Sequence, residues 1–252
     1  AEFGLVRVLT DEGIEGNCFT YGRSTAEGLV SVLKPLVVGQ DALAREWIWQ
    51  RIWRVERLRH FPIYSQTALD VALWDIAGKA SGQPIYKLLG AYRDKVRAYA
   101  SSRTLTSVEA YVEEVLASKQ KGYTAYKLHA WGEPARDIAA CKAVRKAVGD
   151  DMALMLDAVG AYDHEGALKV ARALEELHFE WLEEPLPDWD IRGYVELARA
   201  VDIPICGVEV IPGSLYTAAE YIVREGVDMV RSDVSLKGGI TPLVKTAHLC
   251  EA

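Results

Sequence analysis

Little in the sequence commits it to an extracellular, membrane or nucleic-acid setting. Cysteine is scarce: the four present (Cys18, Cys141, Cys206 and Cys250) lie far apart and never in C-x-x-C spacing. That excludes a disulfide framework and a thiolate zinc site, and it reads as reduced thiols in a cytoplasmic protein. No apolar run approaches the roughly 20 residues of a membrane span, and no stretch reads as a signal peptide. Positive charge is in deficit: 29 Lys and Arg face 36 Asp and Glu, for a formal net charge of −7. An acidic balance of this kind argues against nucleic acid or an anionic membrane as partner. Low-complexity tracts are absent. What the chain does have is apolar material. Half of its 252 residues are hydrophobic, enough to build one large domain or two ordinary ones.

Two grammars divide the chain near residue 95. Before it, Phe3–Leu9 alternates as a strand, Thr10-Asp11-Glu12-Gly13 makes a turn, and Ile14–Tyr21 returns as the second strand of a hairpin. Ala26–Val38, Ala42–His60 and Ser65–Gly82 read as helices, followed by a short amphipathic piece at Ile85–Leu89. The Trp47, Trp49 and Trp53 cluster on the second helix is expected to pack or to form an oligomer contact. Residues 1–94 are therefore expected to form an α+β domain. From 95 to 252 strands and amphipathic helices alternate strictly. The strands fall at Arg97–Ser101, Ala125–His129, Ala153–Asp157, Phe179–Glu183, Pro204–Glu209 and Met229–Asp233. Repeated βα units imply a parallel sheet covered by helices, either an open doubly wound sheet or a (β/α) barrel. An open sheet gathers its ligands at one switch point. Here polar residues end at least four consecutive strands, which favours a barrel with its site on the strand-end rim. Six units fall short of eight. The expectation is of a barrel missing its C-terminal part, in a chain that begins inside its first strand.

The rim is where chemistry concentrates. Asp157, Glu183 and Glu209 recur at an even interval of 26 residues, each closing an apolar strand. Alternation along a strand puts Lys127 and His129 on one face and Leu128 on the other. A lysine is a poor residue for the helix-packed side, so that face is the interior. Asp233 ends the next strand after Glu209. Three carboxylates in one pocket repel one another unless a cation sits among them. All-oxygen ligands select a hard divalent ion, Mg2+ above all. A Mg2+ beside a lysine and a histidine suits removal of the proton α to a carboxylate, with the metal stabilising the enolate.

Four stretches carry a family resemblance: TALDVALWDIAGKASGQPIYKLLG (Thr67–Gly90), WLEEP (Trp181–Pro185), PICGVE (Pro204–Glu209) and DVSLKGGIT (Asp233–Thr241). With them the chain resembles the mandelate racemase subgroup of the enolase superfamily over nearly its whole length. The resemblance implies an α/β fold, a modified TIM barrel beneath an N-terminal capping domain. It implies metal ligands at Asp157, Glu183 and Glu209, the first glutamate of WLEEP being the ligand. Glu184, which is not, is expected to form a salt bridge beneath the site. It implies that Asp233 pairs with a catalytic histidine on a seventh strand that this sequence does not contain. His248, in the sixth helix, is not that residue.

The chain departs from the family in two places. The second-strand Lys-x-Lys motif is here Lys127-Leu128-His129, which carries the role of base to His129. Val159 stands where many relatives have a polar residue. Ser101 and Arg103 at the first strand's end, Tyr21 in the cap and Lys237 before Gly238-Gly239 are the further candidates for substrate contact. The implied activity is dehydration of a sugar acid to a 2-keto-3-deoxy acid by a homo-oligomer. A racemase or epimerase and a non-catalytic metal- or ligand-binding relative are the alternatives.

Overall fold

The computed structural model describes residues 3–252, and they divide into two compact units. One comprises the residues through Lys95 together with Pro212–Thr217 and Ser232–Ala252; the other comprises Val96–Ile211 and Ala218–Arg231.

The first unit opens with an antiparallel hairpin, β1 (Phe3–Leu9) and β2 (Glu15–Tyr21), paired in register from Phe3 opposite Tyr21 to Leu9 opposite Glu15. The helix expected over Ala26–Val38 is broken. It becomes α1 (Gly22–Gly28), one π-helical turn (Leu29–Leu33) and α2 (Lys34–Val37). Pro35 explains the break, since its ring lacks an N–H and crowds the carbonyl four residues back. Then come α3 (Arg45–Glu56), α4 (Ile63–Ser81) and α5 (Ile85–Leu88). Gly82 ends α4 in the left-handed conformation (φ 64°), where its N–H and that of Gln83 turn back onto Lys79 and Gly78 carbonyls. Leu69, Leu73 and Ile76 of α4 pack with Leu33, Ile48 and Ile52 into one small core.

The opposite face of α4 is polar and equally buried, and it clamps the segment 234–241 in the same unit. Thr67 Oγ1 donates to the Ser235 carbonyl at 3.0 Å, Trp74 Nε1 donates to Thr241 Oγ1 at 3.0 Å, and Asp70 Oδ2 accepts the Thr241 N–H at 3.0 Å. A Cβ on Gly239 would lie 2.2 Å from Asp70 Oδ2, and its φ of 115° suits glycine alone. Two of the stretches that carry the family resemblance thus hold each other.

The second unit is a parallel sheet in strict chain order: β3 (Ala100–Ser101), β4 (Ala125–His129), β5 (Ala153–Asp157), β6 (Trp181–Glu183), β7 (Ile205–Gly207) and β8 (Met229–Val230). No crossover reverses the order, as a barrel requires and a doubly wound sheet does not allow. Helices α6 (Val108–Gln120), α7 (Pro134–Val148), α8 (His164–Glu176) and α9 (Ile191–Ala200) connect the strands. Their starts are marked locally. Ser107, Asp163 and Asp190 accept the N–H three residues on, and Pro134 opens α7. The helix α10 (Ser214–Val223) is divided between the units, and α11 (Ile240–Glu251) belongs to the first.

The strands bury both faces differently. Tyr126, Leu128, Leu154, Leu156 and Leu182 join the helix-side core. Alternation turns the intervening Lys127, Asp157 and Glu183 to the other face. No described helix is long and apolar enough to cross a membrane.

Candidate active site

Register assembles the site. Across the parallel ladder His129 lies opposite Asp157, and Asp157 opposite Glu183. An imidazole and two carboxylates therefore stand at one level on three adjacent strand ends. Lys127 lies one pleat below, almost wholly buried, with Nζ 2.8 Å from Asp157 Oδ2 and 2.8 Å from Glu183 Oε1. His129 Nε2 reaches the same Asp157 oxygen at 3.3 Å. Glu209 lies two residues beyond β7, in the loop, and its Oε2 pairs with Nη1 of Arg231. Arg231 Nε is 3.2 Å from Glu183 Oε1. The result is one chain of alternating charge: Asp157, Lys127, Glu183, Arg231, Glu209.

The electrostatics follow from this alternation. Burial alone pushes the Asp157 carboxyl up, but the His129 hydrogen bond and the Lys127 ammonium outweigh it and hold the group down at about 2. Burial likewise disfavours the Lys127 ammonium, and the two carboxylates beside it overcome that and raise its pKa. Lys127 is therefore a fixed cation. Glu183 has 0 % exposure. Its second oxygen, Oε2, accepts from Trp181 Nε1 at 3.0 Å. The Lys127 ammonium also lies 5.9 Å from the centre of the Tyr99 ring.

Backbone strain gathers at the same rim. Val159, Glu184 and Val208 all have positive φ (50°, 41° and 81°), and each lies within two residues of one of the three acids. Such conformations persist only where the surroundings enforce them, and they cluster at functional sites. At Glu184 the enforcement is visible. Instead of the expected salt bridge, its Oε1 accepts the N–H groups of Glu209 at 2.8 Å and Val210 at 3.2 Å. Glu184 thus ties the end of β6 to the loop that carries Glu209. Burial pushes its own carboxyl up to about 7, against the pull of the Val210 N–H.

The histidine is held through its main chain. Its N–H donates to Ser102 Oγ at 3.1 Å, and its carbonyl accepts from the Tyr111 hydroxyl. Among the described residues its buried Nδ1 has no hydrogen-bond partner. The next turn is pinned by Asp137, which accepts from Trp131 N at 2.8 Å, Glu133 N at 2.9 Å and the Tyr162 hydroxyl at 2.8 Å.

Ser101, opposite Lys127 in the ladder, and Arg103 are exposed. Asp233, Lys237 and Tyr21 belong to the first unit. Asp233 Oδ1 accepts from the Ser235 N–H and hydroxyl. Lys237 is buried, and Ser214 Oγ donates to its carbonyl at 2.7 Å. Tyr21 is exposed and stands edge-on to Tyr64. Sequence reasoning missed Arg231, Trp181 and Ser102. Arg231 had a signal: it alternates in phase with Met229 and Asp233, a charged residue on the face already assigned to the interior.

In kind, Asp157, Glu183 and Glu209 suit a hard divalent ion, being anionic oxygen donors from neighbouring strand ends. Lys127 and Arg231 stand between them as cations in the place a metal charge would fill. Among the described residues no three Asp, Glu, His or Cys side chains close around a common point. The acids are held in pairs by the two cations.

Known proteins agree with this architecture. Residues 1–90 match the family described as mandelate racemase / muconate lactonizing enzyme, N-terminal domain, and residues 110–252 match the enolase C-terminal domain-like family. L-talarate/galactarate dehydratase of Salmonella typhimurium is 32% identical over 97% of this chain, which spans 64% of that protein. N-succinyl-L-Arg/Lys racemase of Bacillus cereus is 28% identical over 98% of this chain and 69% of its own length. The crystal structure of D-glucarate dehydratase from Agrobacterium tumefaciens complexed with magnesium superimposes with a TM-score of 0.94 at 36% identity, covering 100% of this chain and 70% of that one. With six parallel strands in barrel order and both family domains matched, the chain belongs to the enolase superfamily, in its mandelate racemase subgroup.

Proposed function

We propose that the protein removes the proton α to the carboxylate of a small sugar acid, with Mg2+, and dehydrates the product to a 2-keto-3-deoxy acid. The observation that carries this reading is the Asp157–Lys127–Glu183 cluster beside His129: buried acids at adjacent strand ends, next to a fixed cation and an imidazole. Relatives named as dehydratases of talarate, galactarate and glucarate support the substrate class.

In this reading Asp157, Glu183 and Glu209 hold the metal. A divalent ion bound there supplies Lewis-acid stabilisation for the negative charge that builds on the substrate carboxylate. The protein's own residues do the rest. Lys127 stays protonated between two acids, so it stabilises charge and does not accept the proton. His129 is the base, because a neutral imidazole takes up a proton where that ammonium cannot. Asp157 accepts from His129 Nε2 and so fixes the ring. Ser102 and the Tyr111 hydroxyl fix the backbone that carries it. The hydroxyl on the neighbouring carbon leaves as water with the proton that His129 took up, and the enol so formed tautomerises to the 2-keto acid. The role of Asp233 rests on the family resemblance; substrate contacts by Lys237, Tyr21, Ser101 and Arg103 rest on their positions in the sequence alone. A homo-oligomeric state rests on the family resemblance, and a cytoplasmic location on the scattered, unpaired cysteines.

The test is a panel of sugar acids with Mg2+, read for 2-keto product and for configuration at the α-carbon. Product that forms with wild type and is lost in His129→Ala is the expected result. Inversion without water loss would instead make the protein a racemase, a reading that the succinyl-amino-acid racemase relative keeps in view.

A further inference from the structure

Arg231 is a cation that the proposed chemistry does not use. Its backbone continues the ladder past β8, with the N–H donating to the Gly207 carbonyl at 2.8 Å. Its side chain spans two acids from neighbouring strand ends, Glu183 through Nε at 3.2 Å and Glu209 through Nη1. Glu183 is fully buried, and its Oε1 is shared by Arg231 and Lys127. Guanidinium cannot shed its proton to make room for another cation. A metal ion that takes up oxygens of Glu183 and Glu209 therefore meets a permanent positive charge already seated on them.

We propose that Arg231 is the resident counter-cation of the acid cluster, and that a divalent ion loads by displacing its guanidinium from Glu209. This rests on the metal-site reading above. Two consequences follow. Without metal, Arg231 offsets the mutual repulsion of Glu183 and Glu209. With metal, it lowers affinity, because each binding event breaks an ion pair and leaves a positive charge nearby.

The test is a Mn2+ titration of the full chain, followed by the electron paramagnetic resonance signal of free Mn2+. Wild type, Arg231→Met, Arg231→Lys and Asp157→Asn are compared. The inference expects Arg231→Met to bind about tenfold or more tightly than wild type, since a neutral side chain removes the repulsion. Arg231→Lys keeps the charge and is expected to stay near wild type. The metal-free Arg231→Met protein is expected to melt at lower temperature and to gain more from Mn2+. Affinity that is unchanged or weaker in Arg231→Met, with wild-type binding lost in Asp157→Asn, would overturn this inference and leave the metal site standing. No Mn2+ binding by any form would overturn the metal site and this inference together. Should Arg231→Met fail to fold, a crystal structure of Mn2+-loaded wild type decides. Arg231 parted from Glu209 supports displacement, and an intact pair contradicts it.

Discussion

Asp157 and Asp70 are both buried aspartates, and their environments drive them in opposite directions. Asp157, on the sheet, is held down at about 2. Asp70, on α4, is pushed up to about 6. Burial raises both. At Asp157 an ammonium 2.8 Å away and an imidazole at 3.3 Å reverse the effect. At Asp70 the Thr241 hydrogen bonds and the more distant Arg45, whose guanidinium lies over the Trp74 ring, only soften it. At both sites desolvation pushes the carboxyl up, and at Asp157 the imidazole and ammonium in contact with it reverse that push. The sheet spends its cations on its acids, whereas the α4 clamp uses its acid as a hydrogen-bond acceptor for a glycine-rich turn.

The largest way to break the contrast is to remove the sheet's cation. Lys127→Met strands Asp157 and Glu183 in a dry site and is expected to lose about 3 to 5 kcal/mol in the metal-free protein, measured by urea unfolding in EDTA. A loss below 1 kcal/mol would mean that His129 and Arg231 suffice.

The second way reads Asp70 directly. Its folded value, about 6, lies above the ordinary 3.8. The folded chain therefore binds this proton more tightly than the unfolded chain. The contribution of Asp70 to stability grows as pH falls from about 7 to about 4 and is absent above the folded value, by up to about 3 kcal/mol. Asp70→Asn removes the step. Plotting the stability difference between the two proteins against pH measures it, and a flat line refutes it.

Third, Gly239→Ala sharpens how tightly the clamp is built. A Cβ 2.2 Å from Asp70 Oδ2, on a backbone at φ 115°, is expected to cost about 2 to 3 kcal/mol, read as a lower thermal midpoint. The smallest effect belongs to a carboxylate that is neither buried nor ion-paired by design. Asp163 caps α8 through the Gly166 N–H at 2.8 Å, so Asp163→Ala is expected to lose about 1 kcal/mol in urea unfolding.

Much of the second unit is legible in the sequence because its signals are local and periodic. The order of six strands, the interior face of Lys127 and the alignment of His129, Asp157 and Glu183 all follow from alternation and even spacing. What is hidden depends on partners far along the chain. Nothing near Pro35 but the proline itself announces a π turn. Glu184 reads as a salt-bridge acid, whereas it binds the N–H groups of residues 25 and 26 positions on. The strands run shorter than their apolar stretches, so Glu209 and Asp233 stand in loops beyond β7 and β8. The burial of Lys237 is hidden as well, because the sequence does not show how 234–241 folds onto α4.

The central claim is that these buried acids serve proton removal next to a carboxylate. It is tested most directly by the α-hydrogen of a sugar acid in deuterated water, followed by nuclear magnetic resonance with Mg2+ and after EDTA. The account requires exchange for deuterium with Mg2+ present, none after EDTA, and none in Glu183→Gln. Exchange that survives EDTA, or no exchange with any acid in a Mg2+-loaded wild-type protein, contradicts it.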